Sequence, residues 1–84
     1  MNVSNGNIVE RIARVLAGQH FSANGEGDDP SASIEVDSEW PHFVDEAVAV
    51  LKTMREPDAR MAAAGDVAIW ERMIQAALPK GELA

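Results

Sequence analysis

The sequence predicts an all-α fold: a small helical bundle of three main helices plus one short helix, with a long acidic loop between helices 1 and 2. Apolar residues recur at steps of three and four within residues 8–17, 40–54 and 67–78. Glycine and proline residues separate these stretches. Only Ser33 to Asp37 alternates in the manner of a strand, and one strand cannot form a sheet.

Length and composition limit the class of protein. The 84 residues predict one domain, residues 1–84, and the 46% hydrophobic and 25% charged content excludes a disordered or fibrous chain. The absence of cysteine excludes a disulfide scaffold, thiol catalysis and thiolate zinc sites. No apolar run is long enough for a membrane span, and residues 1–7 lack the basic start of a signal peptide. We therefore expect a cytoplasmic protein.

The first predicted helix runs from Ile8 to Ala17. Asn7 followed by Glu10 resembles a capping box, and Gly18 is placed to end the helix in a left-handed conformation. Its apolar positions are Ile8, Val9, Ile12, Val15 and Leu16.

Residues 19–39 have little apolar content and predict a long acidic loop. Gly25, Gly27 and Pro30 interrupt this segment, and the alternation from Ser33 to Asp37 favours a short extended piece within it. Loops of this length are uncommon in compact domains and tend to be functional or disordered.

The second predicted helix begins near Pro41, with Ser38 as its expected cap. It carries the widest apolar stripe in the chain and is expected to be the central helix. The stripe consists of Trp40, Phe43, Val44, Ala47, Val48, Leu51 and Met54.

Two further helices follow. Pro57 precedes a short third helix, Asp58 to Ala64, which Gly65 closes. Asp66 caps the fourth helix, and a polar tail, residues 79–84, follows it. The apolar face of the fourth helix comprises Val67, Trp70, Met73, Ile74, Ala77 and Leu78.

The net charge of −7 is concentrated in one part of the sequence. No lysine or arginine lies between Arg14 and Lys52. That interval holds the candidate interaction residues Glu26, Asp28, Asp29, Glu35, Asp37, Glu39, Asp45 and Glu46. Such a field disfavours direct binding to nucleic acid or to an anionic membrane and favours a partner protein with a basic surface. The alternative interpretation is a solvated acidic loop.

Metal binding has weak support in the sequence. Asn24, Glu26, Asp28 and Glu35 fall at positions 1, 3, 5 and 12 of a calcium-loop template, but Asp29 stands where that template requires glycine. His20 and His42 flank the acidic loop without the spacing of a metal pair on a helix. We therefore predict no metal and no cofactor.

Catalytic motifs are missing as well. The hydroxyl candidates Ser22, Ser31, Ser33, Ser38 and Thr53 have no nucleophile elbow around them. The glycines of Gly25-Glu26-Gly27 precede Asp28 and Asp29, whose charges would repel a phosphate. The sequence predicts a protein that is not an enzyme.

The largest apolar side chains have two interpretations. Trp40 and Trp70 are in phase with their helix stripes, which favours core positions; the alternative is that one of them is an exposed interface hot spot. Met54, Met61 and Met73 are likewise interpreted as packing residues, with an adaptable binding groove as the alternative.

The C-terminal half also shows a sequence pattern. It reads Trp40-Pro41-His42-Phe43, Glu46-Ala47, Val50-Leu51, Met54-Arg55-Glu56-Pro57, Met61, Ala64-Gly65-Asp66, Trp70, Met73-Ile74 and Ala76-Ala77-Leu78. This pattern, together with residues 8–18, resembles a group of small uncharacterised helical proteins of phages, prophages and alphaproteobacteria. The resemblance implies an intracellular protein in a phage-infected or prophage-bearing bacterium and transfers no catalytic residue.

Two functions are consistent with these features. The first is a non-enzymatic, phage-associated accessory protein that acts by protein–protein interaction. The second is an acidic, anti-CRISPR-like inhibitor of a host nucleic-acid-handling complex, whose carboxylates mimic phosphates. A homodimer that covers a partly exposed helix stripe is also open.

Overall fold

The computed structural model describes residues 3–4, 6–23 and 30–80. Within these ranges the chain is helical and contains no strand, which confirms the all-α prediction. The helices are α1 (Ile8–Ala23), α2 (Pro30–Glu39), α3 (Val44–Met54), α4 (Ala59–Ala64) and α5 (Val67–Ala77), with a 3₁₀ turn, Trp40–Phe43, between α2 and α3.

The chain divides into two compact units, Met1–Ala47 and Val48–Ala84, with the boundary inside α3. We call them the N-terminal unit and the C-terminal unit. The expectation of a single domain over residues 1–84 stays a prediction.

In the N-terminal unit, α1 begins at the predicted cap but extends beyond its predicted end. The Asn7 Oδ1 atom accepts hydrogen bonds from the backbone N–H of Val9 at 2.8 Å and of Glu10 at 3.3 Å. The prediction that Gly18 ends the helix is wrong, because α1 continues to Ala23. A glycine inside a helix costs about 1 kcal/mol relative to alanine. Packing of α1 against α2 and the 3₁₀ turn offsets that cost.

The buried stripe of α1 consists of Val9, Ala13 and Ala17, which are spaced four residues apart. Val15, predicted to lie on the apolar face, is 63% exposed, so that prediction is wrong. The reason is helix geometry: position 15 lies about 200° around the helix from position 13, so Val15 faces away from the buried stripe.

The loop predicted for residues 19–39 is largely helical where the structure describes it. Residues 19–23 belong to α1 and residues 30–39 form α2. The expectation of an extended piece from Ser33 to Asp37 is therefore wrong. An unpaired strand leaves its backbone N–H and C=O groups without partners, whereas a helix satisfies them internally. The remaining residues, 24–29, lie outside the described ranges.

The entry to α3 also differs from the prediction. Ser38 lies inside α2, and its hydroxyl donates a hydrogen bond to the backbone oxygen of Glu35 at 3.2 Å instead of capping a helix. Pro41 lies in the first turn of the 3₁₀ segment, where its missing N–H leaves no donor unsatisfied. The α-helical geometry resumes only at Val44.

In the C-terminal unit, the two predicted helices are present, the second with its predicted cap, Asp66, while Asp58, predicted as the first residue of the short helix, is its cap. Asp58 precedes α4, and Asp66 precedes α5. Among residues 48–80, the buried apolar residues are Val48, Leu51, Ile74 and Leu78. Helix α5 ends at Ala77, ahead of Pro79, and residues 81–84 of the predicted polar tail are outside the described part.

Candidate functional site

Two aspartates fix the starts of α4 and α5. The Asp58 carboxylate accepts a hydrogen bond from the backbone N–H of Met61 at 2.9 Å, and Asp66 accepts one from that of Ile69 at 3.1 Å. Each carboxylate thereby satisfies an N–H that the helix itself leaves unpaired. Only Gly65 and Asp66 separate the two helices, so their apolar side chains lie close together.

Trp70, on α5, is held in place by a hydrogen bond to the end of α3. Its indole Nε1–H donates a hydrogen bond to the backbone oxygen of Met54 at 2.7 Å. Met54 is the last residue of α3, where backbone oxygens lack partners within their own helix. The indole therefore ties α5 to the end of α3 and holds its ring in a half-buried position.

The apolar groove is a cleft of about 330 Å³ in the C-terminal unit. Its lining comes from α4, α5 and the segments that precede them. The lining residues are Pro57, Met61, Ala64, Gly65, Asp66, Val67, Ile69, Trp70 and Met73. Eight of these nine are apolar or glycine, and the carboxylate of the ninth, Asp66, is engaged as a helix cap. The groove can bind apolar groups and offers no nucleophile or proton-transfer pair.

The methionines are not core residues, contrary to the favoured prediction. Met54 is 38%, Met61 42% and Met73 63% exposed. The last two line the apolar groove, the position described by the alternative interpretation. The physical reason is that α4 is a six-residue helix with no buried residue, so it cannot cover α5.

A second ordered cluster lies in the N-terminal unit and is centred on Arg14. Its Nε donates to Glu10 at 2.9 Å and its Nη1 donates to Asp37 at 2.7 Å. The guanidinium carbon also lies 5.3 Å from the ring centroid of Trp40, within cation–π range. The hydrogen bond to Glu10, followed by that to Asp37, raises the pKa of Arg14 above its ordinary value.

The predicted acidic site is only partly described. Glu26, Asp28 and Asp29 are outside the described ranges. Glu35, Asp37 and Glu39 lie on α2, and Asp45 and Glu46 lie in the first turn of α3.

Two of these carboxylates already have partners in the same unit. Asp37 pairs with Arg14, and Glu39 lies 2.7 Å from Nδ1 of His42. The other three, Glu35, Asp45 and Glu46, are exposed and form no ion pair within the ranges that the structure describes. The prediction of a site formed by all eight carboxylates stays a prediction.

The histidines take part in local contacts. His20 lies 5.0 Å from the ring of Phe21 and 5.6 Å from that of Phe43, measured between centroids. In the described part of the chain, no three histidine, aspartate or glutamate side chains come together as they would around a metal ion. Three of the four calcium-template residues, Asn24, Glu26 and Asp28, lie outside it.

The hydroxyl candidates that can be placed bond to their own helices. Ser38 donates to Glu35, as described above, and the Thr53 hydroxyl donates to the backbone oxygen of Ala49 at 3.0 Å. Such bonds to a carbonyl three or four residues earlier are common for hydroxyls inside helices.

Comparisons with known proteins give no relative. No family model, no curated protein and no solved structure matches the chain. The resemblance to phage and prophage proteins therefore stays a prediction. Among the helices of the described residues, none is both long and apolar enough to cross a membrane.

Proposed function

We propose that the protein is a non-enzymatic accessory protein that acts by binding another polypeptide in the apolar groove between α4 and α5. The observation that carries this proposal is the exposure of Met61, Ile69 and Met73 around the anchored ring of Trp70. Exposed methionines beside a fixed tryptophan provide an adaptable apolar contact with a rigid centre. The proposed phage or prophage setting rests on the sequence resemblance. The proposed cytoplasmic location rests on the sequence alone.

The experiment compares two substitutions at equally exposed positions. Met73→Glu places a charge at the apolar groove, and Val15→Glu places the same charge on α1; both parent side chains are 63% exposed. Tagged full-length variants are incubated with lysate from bacteria that also express an untagged copy of the chain. Captured proteins are identified by mass spectrometry, and circular dichroism verifies that each variant is folded.

We expect at least one protein to be captured by the wild type and by Val15→Glu and to be lost with Met73→Glu. In a complex, the Glu carboxylate at position 73 would lose its water without gaining a charged or hydrogen-bonding partner. This cost weakens binding. Equal capture by the two folded variants would overturn the proposal.

A second candidate function is the acidic inhibitor of a nucleic-acid-handling complex. The observation that favours it is the set of exposed carboxylates Glu35, Asp45 and Glu46, which lie in a unit with nine acidic and two basic residues. Its partner would be basic, and DNA would displace it. In the capture experiment, a partner lost with Glu35→Gln/Asp45→Asn/Glu46→Gln and insensitive to Met73→Glu would support this candidate instead.

A further inference from the structure

An exposed apolar stripe runs along α5. Ile69, Met73 and Ala76 follow one another at steps of four and three residues, and all three are exposed. This is the spacing of a seam along which two helices interlock their side chains. Ile74, which points in another direction from the same helix, and Leu78, which follows the helix directly, are buried. The stripe is therefore additional to the packing face of α5.

The charge of the C-terminal unit is balanced. From Val48 to Ala84, five lysines and arginines stand against five aspartates and glutamates, whereas the N-terminal unit has two against nine and carries the whole net charge of −7. A strongly basic partner is therefore attracted to the N-terminal unit. The groove instead suits an apolar partner surface without net charge, and a second C-terminal unit has that property.

The small size of the chain favours the same occupant. A chain of 84 residues buries only a little over about 60% of the surface that it exposes when unfolded, so its own apolar core is limited. Burial of Ile69 and Met73 between two copies adds apolar contact that the chain lacks by itself.

We propose that the polypeptide in the groove is a second copy of this chain, so that the protein is a homodimer with α5 packed antiparallel against α5 of its partner. A twofold axis brings the same surface from both protomers together, so the surface must match itself. In the proposed dimer, Met73 lies at the centre of the stripe. Its flexible thioether fills space beside Met61 and Trp70 of the other protomer, so the two copies of the stripe match each other. This inference rests on the proposed function, because it names the occupant of the same groove.

The first test measures the molar mass of the full chain by light scattering after size-exclusion chromatography. We expect the wild type and Val15→Glu at twice the 9.0 kDa chain mass and Met73→Glu at the chain mass itself. A wild type at 9.0 kDa across the accessible concentration range would overturn the dimer. So would a folded Met73→Glu that keeps the doubled mass.

A second test does not depend on a disruptive charge. Because the chain lacks cysteine, single cysteines can be introduced as Met73→Cys, Ala76→Cys and, as the control, Val15→Cys. A disulfide requires the two α-carbons to lie within about 7 Å. We expect oxidation to cross-link at least one of the α5 variants into a dimer and to leave the Val15 variant monomeric. Cross-linking at Val15 alone would contradict the proposed interface.

The outcomes separate this inference from the proposed function. A monomeric chain with a groove-dependent host protein in the capture experiment removes the dimer and keeps the function. A dimer whose untagged copy is captured in a groove-dependent way supports both. A monomeric chain without any groove-dependent partner overturns both.

Discussion

At the residue scale, Arg14 makes three specific contacts within the N-terminal unit. It joins a carboxylate of its own helix, a carboxylate of α2 and the indole ring of the 3₁₀ turn. A planar guanidinium can hold these three partners at once, because its donors point in several directions while its face remains available for stacking. Lysine offers one compact charge instead.

We therefore predict that thermal midpoints fall in the order wild type, Arg14→Lys, Arg14→Ala. The control is Arg11→Ala, because Arg11 is exposed and forms no ion pair among the residues that the structure describes. Thermal unfolding followed by circular dichroism gives the midpoints. Equal midpoints for Arg14→Ala and Arg11→Ala would contradict the prediction.

The pKa of Arg14 fixes the pH range of this contribution. Its folded-state pKa is raised above the ordinary value for arginine by the hydrogen bonds to Glu10 and Asp37. Stability that comes from a raised pKa is complete below the unfolded-state pKa and is lost only as the pH rises through the folded-state value. Titration of Arg14 itself therefore leaves the difference between wild type and Arg14→Ala unchanged across neutral pH.

At the element scale, the structural features that could be predicted were those set by residues close together in the sequence. Asn7 and Asp66 could be identified as caps because a capping side chain bonds to N–H groups only two or three residues away. Gly18 and α2 could not be predicted, because packing of α1 against α2 decides both. The polar sequence of α2 shows no apolar stripe to reveal its helical state.

The two aspartate caps should differ in their effect on stability. Loss of a cap typically costs about 0.5 to 2 kcal/mol. We predict a loss of about 1 kcal/mol for Asp66→Ala, because α5 carries the buried Ile74 and Leu78 follows directly after it. For Asp58→Ala we predict a smaller loss, because α4 contains no buried residue and can fray alone.

Urea unfolding of both variants measures this difference. Asp66→Asn serves as the control, since asparagine caps about as well as aspartate and should restore most of the stability. A larger loss from Asp58→Ala than from Asp66→Ala would show that α4 contributes more to the folded state than its exposure indicates.

At the scale of the whole molecule, the amino-acid composition limited the class of protein but did not indicate the apolar groove. An apolar residue in phase with a stripe is buried only if another element covers it, and spacing alone does not reveal which element that is. Met73 illustrates this limit, because it shares α5 with the buried Ile74 yet is 63% exposed. The six-residue length of α4 was the available signal, since so short a helix covers little surface.

The uneven charge predicts a specific response to salt. Nine acidic residues against two basic ones in residues 1–47 repel one another in the folded state. Raising the ionic strength from about 0.01 M to about 1 M shortens the screening length from about 30 Å to about 3 Å. We expect the thermal midpoint to rise with sodium chloride, and to rise less for Asp45→Asn/Glu46→Gln. A midpoint that falls with salt in both proteins would contradict this expectation.

Among the residues whose burial is described, the alanines with no exposed surface are Ala13, Ala17 and Ala47, and all three belong to the N-terminal unit. A methyl group in full contact leaves no room for added atoms, whereas exposed positions such as Val15 accept many side chains. Tolerance of substitution along this unit should thus be lowest at residues whose side chains carry no charge and form no hydrogen bond. In sequences that diverge under selection for this fold, those alanines should remain while the acidic surface changes around them.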